Sequence, residues 1–117
     1  MNNLVGIDIV ECNRIKEKMN DRFINRILSP LELEVFNTFK SDKRKIEYVA
    51  GRFAAKEAYT KVYKQFKSPL NFNEVSVLND EFGAPYIISK YQPEDELNVS
   101  ISHSENYVVA ICIKNAK

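Results

Sequence analysis

A chain of 117 residues, 44% of them hydrophobic, is long enough to bury a core without covalent staples. Its two cysteines, Cys12 and Cys112, are too few and too far apart for a disulfide framework or a zinc site, and no apolar run approaches the ~18 residues of a membrane span. No charged-then-apolar leader opens the chain, so the expectation is a single cytoplasmic domain over residues 1–117 with reduced core thiols, neither secreted nor membrane-bound.

Net charge is only +1, but it is unevenly spread: residues 1–73 carry 14 Lys and Arg against 9 Asp and Glu, and residues 74–117 carry 3 against 7. The basic part suits an anionic partner such as nucleotide phosphates, an acidic protein or nucleic acid. A pI near 7.7 argues against a dedicated nucleic-acid binder, and neither a base-stacking aromatic motif nor a helix-turn-helix pattern is present.

The first element is a strand. Leu4 to Val10 is short, apolar and β-branched, with Val5, Ile7 and Ile9 on one face and Leu4, Gly6, Asp8 and Val10 on the other. Asp8 is its one charge, and Gly6 clears bulk on the same face for a backbone or a ligand to approach. Taken alone, Asp8 reads equally well as a helix cap, a lysine partner or a ligand-binding acid. Glu11 to about Met19 follows as a helix, Ile15 and Met19 inward, and Arg14, Lys18, Arg22 and Arg26 recur every four residues as a basic ridge. Ser29-Pro30-Leu31-Glu32 signals the next helix, with a serine cap, an early proline and a glutamate closing a capping box, and that helix ends near Phe39.

Ser41 and Asp42 make a fresh cap, and Arg44 to about Phe66 reads as one long helix. Its apolar stripe runs Ile46, Val49, Ala50, Phe53, Ala54, and continuing it by three and four lands on Glu57, Ala58 and Lys61. A carboxylate on a core-facing stripe is costly unless its charge is compensated. Lys61, one turn on, can compensate Glu57, and a magnesium ion does so better, because it prefers oxygen ligands and needs only one or two protein carboxylates. Two acids in separate apolar elements, Asp8 and Glu57, favour a shared cation. Gly51, inside the same helix, suggests close packing there.

Ser68-Pro69 ends the helical region. Phe72 to Leu78 alternates as a strand, Asn79 to Gly83 turns, Pro85 to Ile88 is a second strand, and Tyr91 to Glu96 is a polar loop. Leu97, Val99 and Ile101 mark a half-buried strand, and Tyr107 to Ile113 returns after a turn at Ser104-Glu105-Asn106. The expected fold class is α+β: helices, one long and central, packed on an antiparallel sheet that the first strand joins. His103, the only histidine, ends a strand between Ser102 and Ser104. A lone histidine is ordinarily structural or solvent-exposed. Strand ends, however, display functional groups, and without a second histidine or cysteine nearby it suits contacting phosphate or polarising a substrate better than binding zinc.

Gly6-Ile7-Asp8-Ile9-Val10-Glu11 with Arg14, Arg52-Phe53-Ala54-Ala55-Lys56-Glu57-Ala58 with Lys61, Gly83 with Pro85, and Val99-Ser100-Ile101-Ser102-His103-Ser104 together resemble the holo-[acyl-carrier-protein] synthases, the short type of 4′-phosphopantetheinyl transferase. The resemblance covers essentially the whole chain. It implies transfer of the phosphopantetheine arm of coenzyme A to a serine of apo-acyl carrier protein, with adenosine 3′,5′-bisphosphate as the other product, in support of fatty acid biosynthesis. It further implies that Asp8 and Glu57 hold Mg²⁺ with the pyrophosphate of coenzyme A, and that Glu57 takes the serine proton directly or through a water at the metal. Lys61 would orient Glu57 and touch phosphate, Arg44, Lys45 and Arg52 would serve the 3′-phosphate or adenine, and His103 would lie near the coenzyme. The ridge of Arg14, Lys18, Arg22 and Arg26 would face the acidic helix of acyl carrier protein. The family is typically trimeric, with residues 83–85 and 102–104 of one chain meeting Asp8, Glu57 and Lys61 of the next. Two positions depart from its pattern: Ala84 stands where a basic residue is common, removing a phosphate contact, and Cys12 stands where a branched aliphatic is commoner.

Three rivals fit less well. A coenzyme A binder without transfer activity does not need Asp8, Glu57 and Lys61 together; a nucleic-acid-binding domain would be more basic; and a two-lobed synthase-associated transferase needs about twice this length.

Overall fold

The computed structural model describes residues 4–63, 70–91 and 96–115. Strand β1 (Leu4–Glu11) leads directly into helices α1 (Cys12–Lys18), α2 (Asp21–Ile27) and α3 (Pro30–Phe36), then the long helix α4 (Asp42–Val62). A 3₁₀ turn at Phe72–Glu74 precedes β2 (Val75–Asn79), β3 (Pro85–Ser89), β4 (Leu97–His103) and β5 (Tyr107–Lys114). The α+β class stands, with one refinement: the strands form two antiparallel sheets, β1-β5-β4 and the hairpin β2-β3. β1 closes the larger sheet by pairing Gly6 with Cys112 and Asp8 with Ala110.

The helix boundaries follow local chemistry. The Asn20 side chain caps α2, accepting from the Phe23 amide at 2.8 Å, and this cap breaks the expected continuous ridge into two seven-residue helices. The Ser29–Glu32 capping box forms as expected. α4 begins at the Ser41 cap, while its expected end near Phe66, like Ser68-Pro69, lies outside the described residues. The strand expected from Phe72 starts three residues later, because Phe72–Glu74 turns first.

α4 packs across the inner face of the large sheet, where Val49, Ala50, Ala54, Ala58, Val108, Ala110 and Cys112 are all buried. Small residues on both partners allow the approach. It is closest at Gly6: a Cβ there would lie 2.0 Å from the Ala58 carbonyl oxygen, so only glycine fits. Gly51 differs from expectation, since a Cβ there meets Ile101 at 3.6 Å, ordinary contact that an alanine tolerates. The outer face of the same sheet carries Val5, Ile7 and Ile9 paired with Ile113, Ile111 and Val109, and the three β1 side chains are more than half exposed.

Candidate active site

α4 sets charged side chains on two of its faces. Toward β1 it presents Glu57 and Lys61. Lys61 Nζ donates to the Ile7 carbonyl at 2.8 Å and to Asp8 Oδ1 at 3.3 Å, so it closes on Asp8 rather than on Glu57 as the i,i+4 spacing suggested. Glu57 is left half-buried, and burial first, then the negative charge of Asp8, push its carboxyl pKa up, with Lys61 opposing. Asp8 and Glu57 line one cavity of about 440 Å³ with Glu11, Arg14, Lys18 and Phe53. The two acids, 49 positions apart in sequence, therefore converge as expected.

Asp8 and Glu57 repel one another beside the Lys61 ammonium, in a groove that Glu11, Arg14 and Lys18 also line. Among the described residues no three His, Cys, Asp or Glu side chains are placed to hold one metal ion, so a cation here would have the two protein carboxylates and would take its other ligands from water or substrate. Hard oxygen donors in that number suit magnesium rather than zinc.

A second cavity, of about 370 Å³, opens on the other side of α4 and gathers Arg44, Arg52, Gly83, Pro85 and His103, with Glu47 among them. Lys45 is placed apart, 5.7 Å over the Phe36 ring. Ser102 is exposed, and Ser104 closes the β4–β5 turn by accepting from the Tyr107 amide at 3.3 Å. Arg22 and Arg26 are exposed on α2, whereas Arg14 and Lys18 reach the acid groove. Gly83 adopts φ +83° in the hairpin turn, which Asp80 Oδ1 braces by accepting from the amides of Phe82 and Ala84 at 2.9 Å each.

Arg52 is more constrained than a simple phosphate ligand. Its Nε donates to the Val77 carbonyl at 3.1 Å, its Nη2 to Asn79 Oδ1 at 3.3 Å, and its guanidinium stacks 4.2 Å over Tyr48. One turn on, Lys56 is fully buried and donates to Glu32, to the Ile27 carbonyl at 2.6 Å and to the Phe72 carbonyl at 2.9 Å. Burial pulls the Lys56 pKa down to about 8 against the opposing pull of Glu32, so it stays an ammonium at neutral pH. Glu32, expected only as a capping residue, also accepts from the Val77 amide at 2.7 Å. This Glu32–Lys56 pair escapes sequence reasoning, because the capping box alone accounts for Glu32. The one signal is Lys56 itself, a charge flanked by Ala54, Ala55 and Ala58. Both cysteines are buried with raised pKa values, Cys112 to about 12, which keeps them as inert thiols.

Residues 4–112 match the family model of the 4′-phosphopantetheinyl transferase superfamily. The chain belongs to that superfamily. A holo-[acyl-carrier-protein] synthase of Anoxybacillus flavithermus is 50% identical over 109 residues, covering 91% of this chain and 89% of the relative. That of Acholeplasma laidlawii is 38% identical over 113 residues, 97% of this chain and 96% of the relative. Among solved structures, the Bacillus anthracis synthase in complex with coenzyme A (3′,5′-ADP) superposes with a TM-score of 0.83 at 41% identity, over 97% of this chain and 96% of that one. For a phosphopantetheinyl transferase, the convergence of acid groove and basic flank on β1, α1 and α4 is chemically apt. No helix among the described residues is long and apolar enough to cross a membrane.

Proposed function

We propose that this chain moves the 4′-phosphopantetheine arm of coenzyme A onto a serine of apo-acyl carrier protein, giving holo-acyl carrier protein and adenosine 3′,5′-bisphosphate. Asp8, Glu57 and Lys61 carry the reaction. The observation behind the assignment is the pairing of Glu57, its pKa raised, with Asp8 in a groove flanked by Arg14 and Lys18. Asp8 and Glu57 would hold Mg²⁺, which when bound supplies charge neutralisation at the pyrophosphate.

Glu57 opens onto the groove that the carrier serine would enter, where a general base has to stand. It therefore accepts the proton of the carrier serine as that oxygen attacks the phosphorus bearing the pantetheine arm. The phosphoanhydride bond breaks, and its electron pair leaves with adenosine 3′,5′-bisphosphate. Lys61, anchored on Asp8 and Ile7, holds Asp8 in place and presents positive charge to phosphate. Arg14 and Lys18 beside the groove, and Arg22 and Arg26 beyond it, meet the acidic helix of acyl carrier protein and steer encounter more than they add affinity.

The coenzyme cavity and the acid groove share no lining residue and lie on different sides of α4. One site assembled from Arg44, Gly83, Pro85 and His103 of one chain and Asp8, Glu57 and Lys61 of a neighbour reconciles them. The exposed Val5, Ile7 and Ile9 face of the sheet supplies an apolar surface for such an assembly, read here as a homotrimer. We place the enzyme in the cytoplasm as one domain over residues 1–117, its buried thiols reduced.

The deciding assay incubates the protein with apo-acyl carrier protein, coenzyme A and Mg²⁺ and follows the carrier by mass spectrometry. Gain of the phosphopantetheine arm is expected; a folded protein that binds coenzyme A yet leaves a competent carrier unmodified would be a binder only. Sedimentation of wild type and Ile9→Lys tests the trimer, and a monomeric, fully active wild type would overturn the shared site.

A further inference from the structure

Glu47 stands where an anion is least welcome. It lies on α4 and lines the second cavity with Arg44, Arg52 and His103. Its side chain is only 16% exposed, so water covers little of its charge. A carboxylate in a cavity whose other charges are cationic, and which is read here as taking a polyanion, costs free energy unless something holds it. Among the described residues neither arginine forms an ion pair with it: Arg52 donates to Val77 and Asn79 and stacks on Tyr48, and Arg44 lies 4.9 Å over the Phe39 ring. Among the described residues, the nitrogen base within ion-pair reach of Glu47 is the His103 imidazole, with Nδ1 3.9 Å from Oε2.

The backbone of His103 is fixed from the other side. It pairs with Val108 at the end of β4. Just beyond it the Ser104 amide donates to the Tyr107 carbonyl at 2.8 Å, and the Cys12 amide donates to the Asn106 carbonyl at 2.9 Å, tying this turn to α1. Only the ring is left to orient, and it is about half exposed. An imidazole can present either nitrogen unless a partner fixes one of them.

We propose that Glu47 is a positioning residue for His103: it holds the Nδ1–H, so that Nε2 faces the cavity and, in the imidazolium form, donates to a phosphate of coenzyme A. The assignment of the cavity rests on the function proposed above; the Glu47–His103 pairing does not. Carboxylate, imidazole and ligand phosphate then alternate, and a protonated ring is attracted from both sides. The 3.9 Å separation is an ion-pair distance rather than a hydrogen bond. Such contacts are often loose in a ligand-free site and tighten when the ligand completes them.

His103 is the only histidine, so imidazole ¹⁵N resonances report this ring alone. Ligand-free wild type should carry its proton on Nδ1, Glu47→Leu should move the population toward Nε2–H, and Glu47→Gln, which keeps an acceptor, should fall between. Dominant Nε2–H in wild type overturns the proposal without any substitution, as does a spectrum unmoved by Glu47→Leu in a folded protein. In turnover, Glu47→Leu should raise KM for coenzyme A roughly tenfold, the equivalent of one weakened charge-assisted hydrogen bond, with a much smaller change in kcat. Added to His103→Gln it should cost nothing further, and additive losses would overturn the pairing. If wild type transfers no phosphopantetheine, the reading of the cavity fails, while the ligand-free tautomer still decides the pairing.

Discussion

The two faces of α4 both carry charge into the protein, and they handle it in opposite ways. On the face toward α3 and the β2–β3 hairpin, Lys56 meets one carboxylate and two carbonyls, and Glu32 meets Lys56 and the amides of Ser29 and Val77. Every charge there is answered by the protein, and that face is structural. On the face toward β1, Asp8 pairs with Lys61 while Glu57, repelled by Asp8, has no ion pair among the described residues, which leaves it open to a partner from outside the chain. A charge inside a protein therefore marks function by the partner it lacks rather than by its burial alone.

The contrast is broken most severely on the open face. Glu57→Gln keeps shape and removes the base, so turnover should fall on the order of a thousandfold while the circular dichroism spectrum is unchanged. Retention of most activity would remove Glu57 from the reaction. On the closed face the effect is on stability instead. Lys56→Met strands Glu32 in the core and should cost about 3–5 kcal/mol in denaturant unfolding, whereas Lys56→Met combined with Glu32→Leu should recover most of that loss. A double variant no better than the single would mean that hydrogen bonding to Ile27, Phe72 and Val77 matters more than the pairing.

Which of these faces was legible in sequence follows from how each residue breaks its local pattern. Glu57 interrupts an apolar stripe and Asp8 an apolar strand, so both stood out, as did the glycine that admits α4. Gly6→Ala should destabilise by about 1–3 kcal/mol or more and weaken activity, because the methyl would meet the Ala58 carbonyl and push β1, with Asp8, off the helix. Glu32 broke no pattern, since a capping glutamate belongs where it stands, and only tertiary packing brings Lys56 to it across 24 residues. The division into two sheets was hidden as well, because a strand's own sequence does not name its partner: β2 pairs with β3, and β1, β5 and β4 pair together. Glu47 was unreadable for the same reason: its partner lies 56 positions away, at the end of β4.

A smaller effect separates function from stability at Glu57. Burial and Asp8 raise its folded pKa, so folded protein without metal binds more protons than the unfolded chain in the interval above the ordinary glutamate value. The stability this group contributes is thus full at low pH and is lost as pH rises through the folded pKa. Glu57→Gln should remove that slope, raising Tm by a few degrees at neutral pH in the absence of Mg²⁺, and added Mg²⁺ should then no longer stabilise the protein. A variant still stabilised by Mg²⁺ would place the ion elsewhere.

The mildest change concerns the hairpin turn at the rim of the second cavity. Asp80 braces the turn by accepting from the amides of Phe82 and Ala84, and Gly83 adopts the left-handed conformation, so the Cβ of residue 84 is held by a rigid frame rather than a mobile loop. Ala84 is exposed and leaves that rim without a cation. A lysine there is strongly hydrated and flexible, and it acts on phosphate as a point charge. Ala84→Lys should therefore lower KM for coenzyme A by only a few-fold, mostly at low ionic strength, and leave kcat unchanged. An equal gain at high salt would mean that the lysine stem packs on the ligand, and a change in kcat would mean that the turn reaches the reacting phosphate itself.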